Sequence, residues 1–296
     1  NIYACYLEGC TDTNAVNFNP EATTENGSCA LDWYQVGSDI TGGTGDLLGG
    51  SVDLSSDGLT AVISGPHMIR VFTFDGLQWN QLGNDIAQDA TINSPVVSIS
   101  ADGNRVACGV PYASIIGPYS YSGLVRVYEF NGAGWVQLGS ELLGTAFQGW
   151  FGFSISLSES GSTLAVGEPG GNSNGADSGR VILYEYDGSE WLQKGAAIAG
   201  EAAHDKSGTQ VSLSNDGNIV AVGAHENDEN GSNSGHTRVF QWLNEEWIQL
   251  GVDIDGESAG DYSGTSLALS GDGLTVAIGE NGNDENGEWE TQSFKS

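Results

Sequence analysis

From about residue 50 onward the chain repeats a short pattern of alternating apolar and polar positions. Val52 and Leu54, Val97 and Ile99, Ile155 and Leu157, Val211 and Leu213, and Leu267 and Leu269 each bracket one residue, mostly serine. Such period-two spacing predicts a strand, here segment a. A tight turn follows at Asp57-Gly58, Asp102-Gly103, Ser160-Gly161, Asp216-Gly217 and Asp272-Gly273, where glycine accepts the positive φ of a hairpin. The chain then returns through a short apolar segment b: Ala61-Val62-Ile63, Val106-Ala107-Cys108, Leu164-Ala165-Val166, Val220-Ala221-Val222 and Val276-Ala277-Ile278. Segment c runs from Val71 to Phe74, Val127 to Phe130, Leu183 to Tyr186 and Val239 to Trp242. In three copies it turns through Asp75-Gly76, Asn131-Gly132 or Asp187-Gly188 into segment d. Segment d is Trp-x-Gln-x-Gly or a near variant, opened by Trp33, Trp79, Trp135, Trp191 and Trp247. The spacing of these tryptophans is constant apart from a shorter first step, where the loop between b and c contracts to Ser64 to Ile69.

Units of four strands, each too small to bury its own faces, predict the blades of an all-β propeller. The chain opens on an unpartnered d (Trp33 to Gly37) and ends on an unpartnered c (Thr291 to Ser296). Pairing the two gives a five-bladed β-propeller of four-stranded blades closed by the N-terminal strand, which removes two exposed sheet edges. The alternative is five blades of a larger ring or an open array. The expected organisation is a small Cys-containing module at 1–30 and the propeller at 31–296.

In the third unit Phe151-Gly152 precedes a, Gly167-Glu168-Pro169 follows b, and Gly179-Arg180-Val181 opens c. This resembles the FG-GAP repeat of integrin-α-type propellers, in rhythm over residues 31–296 and in signature chiefly in this unit. That family carries an Asp-rich calcium loop between its first two strands. Here a minimal Asp-Gly turn occupies the place, so the resemblance implies no calcium there.

Residues 9–29, GCTDTNAVNFNPEATTENGSC, differ in composition from the Gly- and Ser-rich remainder. They resemble the short acidic module of the thrombospondin type 3 sort found in secreted proteins. Asp12, Asn14, Asn17, Asn19 and Glu25 supply the oxygen donors that a hard cation such as calcium requires. The alternative is a disulfide-stapled loop in which Asn and Asp serve turns. Cys108 occupies an apolar b-strand slot and reads as a buried thiol. Of the other three cysteines, Cys10 with Cys29 is the preferred bridge. Cys5 resembles the closing cysteine of a preceding copy of the module, so its partner is expected upstream or on another chain. Disulfides imply an oxidising, extracellular setting. The chain starts at Asn1 without a leader pattern, so it reads as part of a longer polypeptide.

Charge narrows the partners. With 39 acidic and 8 basic side chains the net charge is -31, which argues against nucleic acid and anionic membranes as partners. No stretch is apolar enough to predict membrane insertion. Candidate chemistry is sparse. The residues between the paired aliphatics of segment a are Asp53, Ser98, Ser156, Ser212 and Ala268, a single acid where a propeller glycosidase needs at least two. His67, His204, His225 and His236 lie in or beside loops, with no recurring partner and no zinc-ligand spacing. Arg70, Arg126 and Arg238 share one phase of c and suggest blade-to-blade ion pairs. The repeated Asn227-Asp228-Glu229-Asn230-Gly231 and Asn283-Asp284-Glu285-Asn286-Gly287 read as solvated loops. Asn26 and Asn230 head N-glycosylation sequons, which would put both on the surface. The expected function is a non-catalytic extracellular structural or adhesive module of a cell-surface or filamentous assembly, contacting proteins, further copies of itself or glycans. A carbohydrate-binding propeller lectin is the alternative, and a secreted glycoside hydrolase ranks behind it.

Overall fold

The computed structural model describes residues 8–9, 24–25, 35–87, 95–118, 120–283 and 290–295. The chain divides into two compact units, Asn1–Asp39 with Gly76–Gln78, and Ile40–Asp75 with Trp79–Ser296. In the first, Glu8–Gly9 and Thr24–Glu25 pair in parallel. The second is β-propeller-like, and no helix occurs among the described residues.

The predicted segments form antiparallel meanders in the order a-b-c-d. Blade 1 comprises Val52–Leu54, Thr60–Gly65, Met68–Phe74 and Trp79–Gln81. Blade 2 comprises Val96–Ile99, Arg105–Val110, Leu124–Phe130 and Trp135–Gln137. In blade 3 the strands are Ile155–Leu157, Thr163–Glu168, Arg180–Tyr186 and Trp191–Gln193. Blade 4 has Gln210–Leu213, Ile219–Ala224, His236–Leu243 and Glu246–Gln249. Blade 5 shows three, Ser263–Leu269, Thr275–Glu280 and Glu290–Lys295. Trp33, expected to open its fourth strand, lies outside the described residues.

Two features depart from the sequence expectation. The first b–c connection is tighter than anticipated, since strand b runs to Gly65 and c starts at Met68. Each of blades 1 to 4 also carries a two-residue fifth strand, Ile86–Ala87, Leu142–Leu143, Ile198–Ala199 or Ile254–Asp255, paired with the start of c. A pair of residues is too short to leave a periodic signal.

The a–b turns form as anticipated. Gly58, Gly103, Gly161, Gly217 and Gly273 have φ between 65° and 72°. In four of them the serine closing strand a donates its hydroxyl to an aspartate two residues on at 2.6 Å: Ser55–Asp57, Ser100–Asp102, Ser214–Asp216 and Ser270–Asp272.

The core lies between blades. Val62, Ile69 and Val71 of blade 1 pack with Val97, Ile99, Val106 and Cys108 of blade 2, and similar clusters join blades 2 to 3, 3 to 4 and 4 to 5. Hydrogen bonds reinforce each seam. Strand a is a sheet edge, so alternate backbone N–H groups point away from strand b and need a partner elsewhere. The preceding blade supplies it. Asp53 Oδ2 accepts from Ile99 N (2.8 Å), Ser98 Oγ from Leu157 N (3.1 Å), Ser156 Oγ from Leu213 N (3.1 Å) and Ser212 Oγ from Leu269 N (3.0 Å). The fifth counterpart, Ala268, has no side-chain acceptor to offer.

A second relay uses the tryptophans, whose ring N–H reaches back to the previous blade: Trp135 to Leu82 O (2.9 Å), Trp191 to Leu138 O (3.0 Å) and Trp247 to Lys194 O (2.8 Å). Each ring also packs on the aromatic that ends its own strand c, as in Phe130–Trp135 and Tyr186–Trp191. Trp191 is buried in its seam, and Trp135 and Trp247 are partly buried in theirs. At the start of the series Val52 and Leu54 are 65% and 56% exposed, whereas their counterparts Val97 and Ile99 are buried.

Candidate functional site

Most of the predicted N-terminal site falls where no geometry is given. Cys5, Cys10, Asp12, Asn14, Asn17, Asn19, Asn26 and Cys29 lie outside the described residues, and Glu25 is placed only as part of its short strand. Asn230 is exposed, but its Nδ2 donates to Gly256 O at 2.8 Å, just as Asn174 Nδ2 donates to Gly200 O at 2.7 Å one blade earlier. The sequon asparagine thus has a recurring structural use, tying the b–c loop to the chain that follows the fifth strand. Cys108 is a free, buried thiol, and burial pushes it up to about 12.

Asp53, the single acid between the paired aliphatics of segment a, has both carboxylate oxygens engaged, one by Leu54 N and the other by Ile99 N. Arg126 bonds within its own blade, to Glu141 (2.9 Å), whereas Arg70 pairs both with Asp85 of its own blade (2.9 Å) and with Asp46 of the connection that precedes blade 1 (2.8 Å). Asp85 and Glu141 follow strand d, six residues past its tryptophan, and the corresponding residue in blade 3 is Ala197 and in blade 4 Asp253. Arg238 does cross, donating to Ala199 O at 2.8 Å and lying 3.3 Å from Glu201. Arg105, Arg180, Lys194 and Lys206 are tied to Glu129, Glu168, Gly217 O and Asp177 respectively. Every cation whose side chain is described therefore has a partner, and the excess of acid is uncompensated.

That excess gathers where blades 3 and 4 meet. His236 is the first residue of strand c in blade 4, paired across the sheet with Ala224. At the same place blade 3 pairs Arg180 with Glu168, which is fully buried and ion-paired to it. Replacing glutamate by alanine and arginine by histidine leaves the imidazole without its in-sheet acid. His236 is 0% exposed, and neither ring nitrogen has a hydrogen-bond partner.

Three connections surround the ring with carboxylates. Glu201 follows the fifth strand of blade 3, Glu229 sits in the b–c loop of blade 4, and Asp253 and Asp255 come from the end of blade 4. His236 Nδ1 lies 3.6 Å from Asp253 Oδ2, 3.8 Å from Glu201 Oε2 and 4.0 Å from Asp255 Oδ1. One donor atom from each of Glu201, Glu229, His236 and Asp253 lies within 4.8 Å of all the others. Buried Asp205 closes the floor of the adjoining cleft, with its carboxylate accepting from Ala202 N.

The electrostatics reflect crowding. Burial, opposed by Arg238 and aided by Asp253, holds Glu201 above the usual carboxyl range. Burial, with Asp253 and Glu229 nearby, raises Asp255 as well. Burial and then Arg238 bring His236 down to about 4 despite Asp253 and Asp205, so the imidazole is neutral with a free lone pair at pH 7. Sequence reading passed this site over because its donors come from separate stretches. The available signal was the exchange of Glu168 and Arg180 for Ala224 and His236 at equivalent positions.

A β-propeller-like body with a polar cleft at a blade junction is a class of architecture shared by many activities. Within it, residues 191–240 match the FG-GAP repeat, spanning strand d of blade 3 through much of strand c of blade 4 and including Glu201, Glu229 and His236. The match begins at the last strand of the unit whose signatures suggested it and lies mainly in the next unit. No curated protein matches the chain in sequence.

Among solved structures, the chain is similar to hydrazine synthase of Kuenenia stuttgartiensis, with a TM-score of 0.52 and 15% identity, over 84% of this chain and 58% of that one. It is also similar to a functionally unknown protein of Desulfotomaculum acetoxidans, with a TM-score of 0.51 and 14% identity, over 83% and 69%. A candidate 6-phosphogluconolactonase of Bacteroides uniformis gives a TM-score of 0.52 at 14% identity, over 83% and 71%. Two of the three are named as enzymes; at such identities the likeness concerns the fold alone. The chain spans little more than half of the hydrazine synthase chain it matches.

Proposed function

We propose that the chain is a non-catalytic extracellular module with a structural or adhesive role in a cell-surface or filamentous assembly, contacting proteins, further copies of itself or glycans. The observation that carries this reading is the fate of the polar groups along strand a. Asp53, Ser98, Ser156 and Ser212, at the positions where a propeller hydrolase would place its acids, are consumed in bonding one blade to the next. The tryptophans a lectin would expose are likewise directed into seams. A rigid body whose described cations are all paired, with a net charge of -31, suits contacts bridged by divalent ions or made with basic surfaces.

Closure into five blades belongs to the same proposal. The Trp33 segment repeats the d pattern, and among the described residues blade 5 has strands a, b and c. In this reading the N-terminal module, with Cys10 bridged to Cys29, binds calcium through Asp12, Asn14, Asn17, Asn19 and Glu25, and Cys5 joins a neighbouring module or chain. Asn26 and Asn230 are its glycosylation sites.

Sedimentation of the full chain with and without calcium, with binding to cell-surface extracts and a glycan array, tests the function. Calcium-dependent self-association or capture of a surface protein is expected. A chain that stays monomeric and binds neither would overturn it, and glycan binding alone would favour the lectin. Trp33→Ala tests closure: loss of a packed indole costs about 3–5 kcal/mol, and no loss of stability would leave the blades an open array or part of a larger ring.

A further inference from the structure

We propose that Glu201, Glu229, His236 and Asp253 form a binding site for a first-row divalent transition cation of the zinc class, stapling the junction of blades 3 and 4. This inference stands apart from the proposed extracellular role and from the calcium expected at the N-terminus.

Two independent observations support it. The first is the clustering of four candidate donor atoms within 4.8 Å of one another, three brought from separate connections and one from a strand. The second is the fully buried His236 imidazole, aimed at that cluster by its Nδ1 and lacking any hydrogen-bond partner at either nitrogen. A buried polar group without a partner is costly, and a bound ion is one of the ways in which native folds offset that cost.

The geometry suits a small ion. Donors held about 2.1 Å from a tetrahedral metal stand about 3.4 Å apart. His236 Nδ1 already lies 3.6 Å from Asp253 and 3.8 Å from Glu201, so a modest contraction around the ion closes the shell. The charge also suits it. Glu201, Glu229, Asp253 and Asp255 surround the imidazole, with Asp205 beneath, and Arg238 is the one cation among the described residues that faces them. A divalent ion offsets the mutual repulsion that one guanidinium leaves.

The donor chemistry selects the metal class. Calcium and magnesium take oxygen ligands, whereas a neutral imidazole with carboxylates suits zinc and its first-row neighbours. The repeat supplies its own contrast. Blade 3 fills the position with the Glu168–Arg180 ion pair and blade 2 with the apolar pair Val110 and Leu124, so neither places an imidazole there.

The test uses the full chain stripped by chelator and titrated with Zn²⁺ by calorimetry in excess Ca²⁺, which occupies the general acidic surface. One saturable site per chain is expected, and Co²⁺ in its place should give the visible absorption of a four-coordinate ion. Glu229→Gln and Asp253→Asn should each weaken Zn²⁺ tenfold or more, while Glu185→Gln, an exposed acid elsewhere in blade 3, leaves the affinity unchanged. His236→Gln, checked for folding by circular dichroism, should abolish the cobalt spectrum. Three results would overturn the site: no saturable Zn²⁺ binding above the Ca²⁺ background, equal affinity in Glu229→Gln and Glu185→Gln, or complete displacement of Zn²⁺ by Ca²⁺.

Discussion

Replacing Ser98 by alanine isolates one seam bond with almost no change in shape. Ser98 is 7% exposed, and its Oγ accepts from Leu157 N of the next blade at 3.1 Å. Within blade 3 the flanking residues turn the other way: Ser158 N donates to Thr163 O, and Ser154 O accepts from Gly167 N. Leu157 N therefore points out of its own sheet and has no strand to receive it. Removing the hydroxyl leaves a buried donor unsatisfied, which costs about 1–3 kcal/mol. For a body of this size that is a fall in Tm of about 2–4 °C per kcal/mol. Urea unfolding followed by tryptophan fluorescence and by far-ultraviolet circular dichroism should show a lower midpoint with unchanged slope. Ser212→Ala, whose bond to Leu269 N is only partly buried, should cost less. If Ser98→Ala lost under about 0.5 kcal/mol, the range of an ordinary surface change, water would be serving the donor and the seam account would fail.

Other expectations follow from the same seams. Arg180→Met should destabilise by about 3–5 kcal/mol because it leaves the fully buried Glu168 without its charge partner, and Glu168→Ala added to it should restore much of the loss; a double-mutant cycle by urea unfolding checks this. Gly179→Ala should be poorly tolerated, since Gly179 has φ of 77° and an added Cβ would stand 2.1 Å from Ser207 O of the following connection; thermal melting reads the effect. Cys108 should resist iodoacetamide until the chain unfolds, as followed by mass spectrometry of its peptide. Its thiol, raised to about 12 by burial, keeps its proton in the folded state at pH values where the unfolded chain, near about 8.5, releases it. Stability should therefore be unaffected by this group below that pH and fall as pH rises toward 12, by about 1.4 kcal/mol per unit. Cys108→Val, the residue found at the equivalent places 166 and 222, should remove that slope.

The strands were legible because each apolar pair in segment a and each Asp-Gly turn is a local event. What sequence could not give was the destination of groups that act between units. Ser98 and Ser156 look like uncommitted polar positions from their own strand, and only the neighbouring edge shows them to be acceptors. The fifth strands were hidden by their length. Arg126 was assigned across a seam because its phase repeats, yet Glu141, brought beside it by the c–d hairpin and the fifth strand, pairs with it within its own blade. His236 escaped notice since metal-ligand spacing rules look for donors close together along the chain, whereas Glu201 and Asp253 reach it from either side of blade 4.

Ala268 gives the series a direction. A methyl group stands where four earlier units hold an oxygen, so whatever abuts the last strand a is held there without the side-chain clasp used elsewhere. Hydrogen exchange and mechanical pulling should find that flank yielding first, with successive sheets peeling back toward the middle of the chain, much as a zip opens from the end that has no stop.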